Sequence, residues 1–118
     1  MHRVKIAAGD TLYREGHPAE HAFLILSGEA AMERNGVTLS AGKGAVIGFS
    51  ALVGRPYGAT AIAITDSDLL AFTRKELRGI IRSDPDWAML IIEGIIDLVG
   101  KMNVSAGPKP ASITEPGS

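Results

Sequence analysis

Glycine divides the first half of the chain into short segments, and this division limits the fold more than any other feature of the sequence. Nine of the fourteen glycines in the 118 residues precede residue 60. Between them lie short runs of residues that suit strands. Short strands separated by turn residues at intervals of about eight to twelve positions are typical of an antiparallel sandwich or barrel.

The runs that suit strands share apolar, β-branched or small residues and end at turn residues. They cover residues 3–7, 11–14, 22–27, 30–34, 37–40, 45–47, 59–65 and 68–72. Asn35-Gly36 gives the strongest hairpin signal, because both residues tolerate the positive φ angles of a two-residue hairpin turn. Residues 23–26 are apolar without alternation, which indicates a strand buried on both faces.

The residue pattern changes at Thr73, where helices replace strands. Thr73 and Glu76 have the spacing of a capping box, in which the threonine caps a helix and the glutamate bonds back to the cap residue. Asp84 and Pro85 then start a second helix, with aspartate as the N-cap and proline at the first helical position. This helix runs to about Met102, so the sequence predicts a mainly β fold with two C-terminal helices.

The second helix carries more apolar residues than a single buried face requires. Its polar edge consists of Glu93, Asp97 and Lys101, which are spaced by four. So wide an apolar surface is costly to leave in water. Either the core of one chain buries both faces or a second chain covers one of them, and we predict a homodimer through residues 85–102. Trp87, in the first turn, is interpreted as a core residue.

Composition and charge exclude several classes of protein. Hydrophobic residues make up 46% of the chain and the net charge is −1, which is typical of a globular domain without a basic face. Without that face, and without a helix-turn-helix after Met102, we expect no nucleic acid partner. No signal peptide is visible, and the nearly apolar residues 87–99 are too few to span a bilayer. We therefore expect a cytoplasmic protein with no membrane contact.

The length suits one domain, and the composition changes near its end. From Asn103 onward the chain is rich in Ser, Gly, Pro, Lys and Thr. Such a composition cannot bury enough apolar surface to order itself. We predict a single domain over residues 1–102 and a flexible tail or linker stub over residues 103–118.

Evidence for a metal site or for catalysis is weak. Glu15, His17 and His21 could hold a metal, since cupin-type jelly rolls bind metals through histidines inside the barrel. Their spacing is not the cupin one, and His17 precedes Pro18 in a turn. A cupin-like metal-binding protein is therefore the least favoured alternative. No Ser/His/Asp arrangement or catalytic pair of carboxylates stands out, so we predict no enzyme, no metal and no required cofactor.

Residues 48–60 form the segment best suited to bind a ligand. The segment reads Gly-Phe-Ser-Ala-Leu-Val-Gly-Arg-Pro-Tyr-Gly-Ala-Thr, and it lies between two apolar runs. Its small residues leave backbone amides uncovered, so a ligand can come close. A turn of helix inside such a loop would direct several amides at an anion.

Three motifs, in order, resemble the cyclic nucleotide-binding domain family. Residues 8–16 (Ala-Gly-Asp-Thr-Leu-Tyr-Arg-Glu-Gly) resemble its opening turns and strand, and residues 22–30 (Ala-Phe-Leu-Ile-Leu-Ser-Gly-Glu-Ala) its central strand and Ser-Gly-Glu turn. Residues 48–60 resemble its phosphate-binding cassette. The resemblance covers residues 3–102. It implies a non-enzymatic regulatory domain, an eight-stranded antiparallel jelly-roll β-barrel with two C-terminal α-helices.

Two positions of the segment depart from the family's pattern. Phe49 stands where the family has a glutamate that binds the ribose 2′-hydroxyl, and Tyr57 where it has an arginine that pairs with the cyclic phosphate. Losing a hydrogen bond to a charged group costs about 1.5–3 kcal/mol, so the resemblance implies weakened cAMP or cGMP binding. The candidate ligand-binding residues are those that keep the family's frame or could contact a ligand: Gly48, Phe49, Ser50, Ala51, Leu52, Arg55, Tyr57, Gly58, Ala59 and Thr60.

Two functions stay open. The intact frame of the segment favours a module that senses a small, phosphate-bearing ligand, either cAMP, cGMP or another small anion, and signals through its C-terminal helix. The substitutions at Phe49 and Tyr57 favour a ligand-free protein-interaction or dimerisation module of the same fold.

Overall fold

Eight strands and two helices form in the order that the sequence predicts. The computed structural model describes residues 1–105. The strands are β1 (His2–Ile6), β2 (Thr11–Tyr13), β3 (Ala22–Ser27), β4 (Ala30–Arg34), β5 (Val37–Ala41), β6 (Val46–Ile47), β7 (Thr60–Ala63) and β8 (Ser67–Phe72). A short 3₁₀ helix, Phe49–Val53, lies between β6 and β7. The two α-helices are α1 (Arg74–Ser83) and α2 (Pro85–Ser105).

The strands form two four-stranded sheets, in a jelly-roll-like sandwich. The first sheet has the order β1-β8-β3-β6 and the second the order β2-β7-β4-β5, and all the pairs are antiparallel. The prediction of a mainly β jelly roll is confirmed. The predicted closure into a barrel is wrong, because the strands form two separate sheets. Two of the edge strands are too short to bridge the sheets, since β2 has three residues and β6 has two.

Three local signals in the sequence are confirmed. Asn35 and Gly36 adopt φ angles of 52° and 76° at the tip of the β4–β5 hairpin. At the start of α1, the Thr73 hydroxyl accepts from the Glu76 N–H at 3.1 Å, and the Glu76 carboxylate accepts from the Thr73 N–H at 2.9 Å. The Asp84 carboxylate accepts from the N–H of the third helical residue of α2 at 3.3 Å. Each signal involves neighbours in sequence, so it forms largely independently of the rest of the fold.

Strand β3 is buried on both faces, as predicted. Phe23 and Ile25 pack between the two sheets, whereas Ala22 and Leu24 pack toward the helices. The helix side of this core includes Ile91 of α2, which is fully buried. The first sheet is thus the middle layer of the domain, with the second sheet on one side and α1 and the first half of α2 on the other. The second half of α2 reaches the core between the sheets, where Leu98 is buried.

Helix α2 carries apolar side chains that this chain leaves in water. Met89, Leu90 and Ile96 are 51%, 56% and 62% exposed. Trp87, interpreted from the sequence as a core residue, is exposed as well, because it lines an open surface cavity with Leu26 and Leu90 and does not enter the core. The helix ends at Ser105, beyond the predicted end near Met102. Residues 106–118, most of the predicted tail, lie outside the described part. Within residues 1–105, no helix is long and apolar enough to cross a bilayer.

Candidate functional site

A cavity of about 430 Å³ lies among the second sheet, residues 48–60 and α2. Tyr13 from β2 and the β4–β5 hairpin form one wall, and Leu98 and Met102 of α2 form another. The third wall is the segment that the sequence indicates as a ligand site. The lining is mostly apolar, so the cavity is a concave space of the kind that binds small molecules.

Half of the predicted ligand-binding residues line this cavity, namely Gly48, Phe49, Ser50, Gly58 and Ala59. The other half lie elsewhere in the segment. Ala51 is buried, and Leu52 packs toward the helices. Arg55 is exposed and does not line the cavity, so the structure does not bring its charge to the site. Tyr57 and Thr60 hold the segment in place, as described next.

Tyr57 supports the segment from beneath instead of facing the cavity. Its side chain is 8% exposed, and its hydroxyl donates to the carbonyl oxygen of His21 at 2.8 Å. Its ring stacks on that of Tyr13, with 4.0 Å between the ring centres and 15° between the planes. Gly48 lies beside the stacked rings, because a Cβ there would come within 3.1 Å of a ring carbon of Tyr57 and 3.2 Å of a ring carbon of Tyr13. A side chain at Gly48 would therefore push the segment off its support.

The turn after β2 is bonded to the same segment. The Glu15 N–H donates to the Thr60 hydroxyl at 3.0 Å. The Gly16 N–H donates to the Tyr57 carbonyl at 2.8 Å, and the Tyr57 N–H donates to the His17 carbonyl at 3.1 Å. The opening motif of the sequence thus has a structural role, since it fixes the course of residues 57–60.

The histidines considered as metal ligands do not form a cluster. The His21 ring packs against those of His2 and Phe23, with centres 5.4 and 6.5 Å apart, and His17 is exposed. Within residues 1–105, no three side chains of His, Asp or Glu lie together so as to hold a metal ion.

Burial raises the pKa of both phenols, that of Tyr13 and that of Tyr57. A phenolate would lose its hydration inside the core, so the neutral form is favoured. The folded pKa lies above the unfolded value of about 10. The resulting stability is therefore fully present below pH 10 or so, and it is lost as the pH rises from there toward the folded pKa values.

We expect the raised pKa values of the phenols to appear in a spectrophotometric titration, since Tyr13 and Tyr57 are the two tyrosines of the chain. In the native protein, phenolate should form only at a pH clearly above 10. In urea, both tyrosines should titrate near pH 10. Tyr57→Phe keeps the stacked ring and should lower the free energy of unfolding at neutral pH by about 1 kcal/mol. A native phenol that ionises at or below its unfolded pKa would contradict the stacked, buried arrangement.

The hairpin wall of the cavity is not among the site residues that the sequence predicts. Met32 and Arg34 of β4 and Val37 and Leu39 of β5 line it, and they alternate with residues that face away. The alternation and the turn at Asn35-Gly36 are visible in the sequence. The signal was therefore present, but it needed the placement of the hairpin opposite residues 48–60, which is a tertiary fact.

The family model described as the cyclic nucleotide-binding domain matches residues 3–84, which is more than half of the chain. No curated protein matches the chain. It is similar to the N-terminal domain of a transcriptional regulator from Streptomyces coelicolor A3(2), at 26% identity and a TM-score of 0.62, over 93% of this chain and 81% of that chain.

Two further solved structures share the fold. One is a cyclic nucleotide-binding-like protein from Brucella abortus bv. 1 str. 9-941, with 29% identity, a TM-score of 0.58 and coverage of 69% of this chain and 75% of that chain. The other is a cyclic nucleotide-binding domain from Methylobacillus flagellatus KT, with 20% identity, a TM-score of 0.68 and coverage of 92% and 69%. Together with the order of strands, segment and helices, the family match shows that this chain belongs to the cyclic nucleotide-binding domain family.

Proposed function

We propose that this chain is a cytoplasmic, non-enzymatic regulatory module that senses a small, phosphate-bearing ligand beside residues 48–60 and signals through α2. One observation carries the proposal. The cavity beside the segment is also walled by Leu98 and Met102 of α2. A ligand that fills it contacts the binding segment and the helix together, so it stabilises one position of α2 relative to others.

We further propose that cAMP and cGMP bind this module weakly. Phe49 lines the cavity and offers no carboxylate for a ribose hydroxyl. Tyr57 offers no cation, and its hydroxyl is committed to the carbonyl of His21. Backbone amides at Gly58 and Ala59, which line the cavity, are left to hold a phosphate. Amides alone make a weaker contact than a bidentate guanidinium.

Calorimetric titration with cAMP and cGMP tests this proposal. We expect no sub-micromolar binding by the natural chain. Phe49→Glu returns a carboxylate to the cavity lining and should bind cAMP about tenfold more tightly through the ribose hydroxyl. In the double variant with Tyr57→Arg the gain should reach about a hundredfold if the guanidinium, released from the stack on Tyr13, reaches the phosphate. Sub-micromolar binding by the natural chain would contradict the weakening, and unchanged binding in the variant would contradict the role of the segment.

The double variant needs a control for folding, because Tyr57 stacks on Tyr13 beneath the segment. Phe49→Glu alone leaves that stack in place and should gain the ribose contact only. Thermal unfolding of both variants shows whether the native state persists. Only a variant that unfolds cooperatively counts in the comparison.

A second candidate function is a ligand-free interaction module that dimerises through residues 85–102. The exposed Met89 and Ile96 favour it, because they lie two turns apart on one face of α2 and exposed apolar side chains grouped on a helix mark an interaction surface. Hydrogen exchange of α2 separates the two functions, if cGMP is added at a concentration high enough to saturate a weak site. A sensing module changes its exchange on binding, whereas a constitutive dimer does not.

We expect Ile96→Glu to convert a dimer into a monomer in analytical ultracentrifugation, since it places a charge on the most exposed apolar position of α2. Lys75→Glu, on the exposed surface of α1, is the control for an added acidic residue. If the natural chain sediments as a monomer at all concentrations, dimerisation through this surface is wrong.

A further inference from the structure

The lining of the cavity contains one charged side chain, and it comes from the β4–β5 hairpin. Alternate residues of a strand point to the same side, so Ala30, Met32 and Arg34 share one face of β4. Ala30 and Met32 are buried in the core between the sheets. Arg34 continues their row to the rim of the cavity, where it is exposed and belongs to the lining.

The guanidinium of Arg34 has no ionic partner among residues 1–105. The ion pairs in this part of the chain join Arg3 to Asp68 and the Met1 ammonium to Glu76. Val37, which pairs with Arg34 across the hairpin, is apolar, and no carboxylate lines the cavity. The site therefore offers a positive charge next to an apolar space. A guanidinium in such surroundings suits a carboxylate, sulfonate or phosphate group.

Most of the remaining lining would contact an apolar body. Met32 and Leu39 from the sheet, Phe49 from the segment and Leu98 from α2 surround the space. A fully polar ligand would give up its hydration against these side chains without gaining hydrogen bonds. An apolar body gains free energy roughly in proportion to the area that it buries.

We propose that the ligand of this cavity is an amphiphilic anion, whose acidic group pairs with Arg34 and whose apolar body packs among Met32, Leu39 and Leu98. This inference rests on the proposed function in treating the cavity as the ligand site. It moves the anion-binding end from residues 48–60 to the hairpin. A flat or aliphatic acid then suits the site better than a nucleotide with its polar ribose.

Anilinonaphthalene sulfonate and its uncharged parent phenylnaphthylamine test this assignment by fluorescence titration. The natural chain should bind both, and raising the salt concentration should weaken the sulfonate only. Arg34→Gln should weaken the sulfonate about tenfold and leave the uncharged probe unchanged. Arg55→Gln is the matched control, since this arginine is also exposed but lies outside the cavity.

The methyl groups of methionine locate the bound probe. Met32 and Met102 line the cavity, whereas Met89 lies on the exposed surface of α2. In a methyl NMR spectrum of the full chain, both probes should shift Met32 and Met102 and leave Met89 in place. Shifts of Met89 without Met32 would place the probe on the helix surface and overturn the proposal.

The outcomes separate this inference from the proposed function. If both probes shift Met32 but Arg34→Gln binds the sulfonate as tightly as Arg55→Gln does, the role of Arg34 is wrong and the cavity stands as a ligand site. If neither probe shifts Met32, the cavity does not take such ligands, and the proposed function loses its main support as well. The inference is supported if Arg34→Gln binds the sulfonate more weakly than the natural chain does and binds the uncharged probe equally well.

Discussion

Replacing Gly28 with alanine is expected to destabilise the domain by about 2–5 kcal/mol, the largest effect of a single methyl group that we expect in this chain. Gly28 lies between β3 and β4 with a φ of +94°, where an alanine is strained by roughly 1–2 kcal/mol. Its Cβ would come within 2.2 Å of the Ser67 hydroxyl oxygen and 2.7 Å of the Asp66 carbonyl oxygen. Because the backbone cannot move aside without a cost in free energy, overpacking adds about 1–3 kcal/mol to the strain.

Gly16→Ala is the matched control for this variant. Gly16 has a φ of +84°, but a Cβ there would meet no atom within 4 Å. It should therefore show the backbone strain alone, about 1–2 kcal/mol. Urea unfolding of both variants gives the difference, which measures the steric term. Equal losses of stability would mean that the turn at Gly28 is not in close contact with Ser67.

Ser67→Ala refines the test in the Gly28→Ala background. The Ser67 hydroxyl donates to the Thr65 carbonyl at 2.9 Å, so it is held against Gly28. Removing it relieves the shortest contact but leaves the Ser67 Cβ at 2.7 Å. We expect a partial rescue of stability relative to Gly28→Ala. A complete rescue would show that the hydroxyl alone makes Gly28 necessary.

The parts of the fold that the sequence predicts well depend on neighbours along the chain. The turn at Asn35-Gly36 and the capping box of Thr73 and Glu76 each form within four residues. The two-sided burial of β3 is also local, because its apolar residues do not alternate. Such signals need no knowledge of what lies across the core.

The parts that the sequence does not predict depend on distant contacts. Tyr57 lies in the segment predicted to bind the ligand. However, its hydroxyl donates to the carbonyl of His21 and its ring stacks on that of Tyr13. In the sequence, Arg34 is a charge next to a turn. Only the position of the hairpin beside α2 brings it to the cavity. Barrel closure likewise depends on the lengths of β2 and β6 relative to the gap between the sheets. Periodicity and turn chemistry do not report any of these distances.

Gly94→Ala is expected to lift α2 from the first sheet. Alanine normally stabilises a helix by about 1 kcal/mol relative to glycine. Here its Cβ would come within 2.4 Å of the Gly44 carbonyl oxygen and 2.9 Å of a Val46 methyl group. The Gly44 N–H donates to the Ile25 carbonyl at 2.9 Å, so the loop cannot easily retreat. We expect the clash to outweigh the gain in helix propensity, so that the free energy of unfolding falls by about 1–3 kcal/mol.

Gly100→Ala is the control in the same helix, since a Cβ there meets no atom within 4 Å and should stabilise α2 by about 0.5–1 kcal/mol. The fluorescence of Trp87, the one tryptophan of the chain, reports on α2 during urea unfolding. Leu98 lies one turn beyond Gly94 and lines the cavity, so a lifted helix also opens the ligand site. Gly94→Ala should therefore weaken probe binding, while Gly100→Ala should not. Equal stability of the two variants would mean that α2 is not seated on Gly44, and that its movement cannot be coupled to the cavity through this contact.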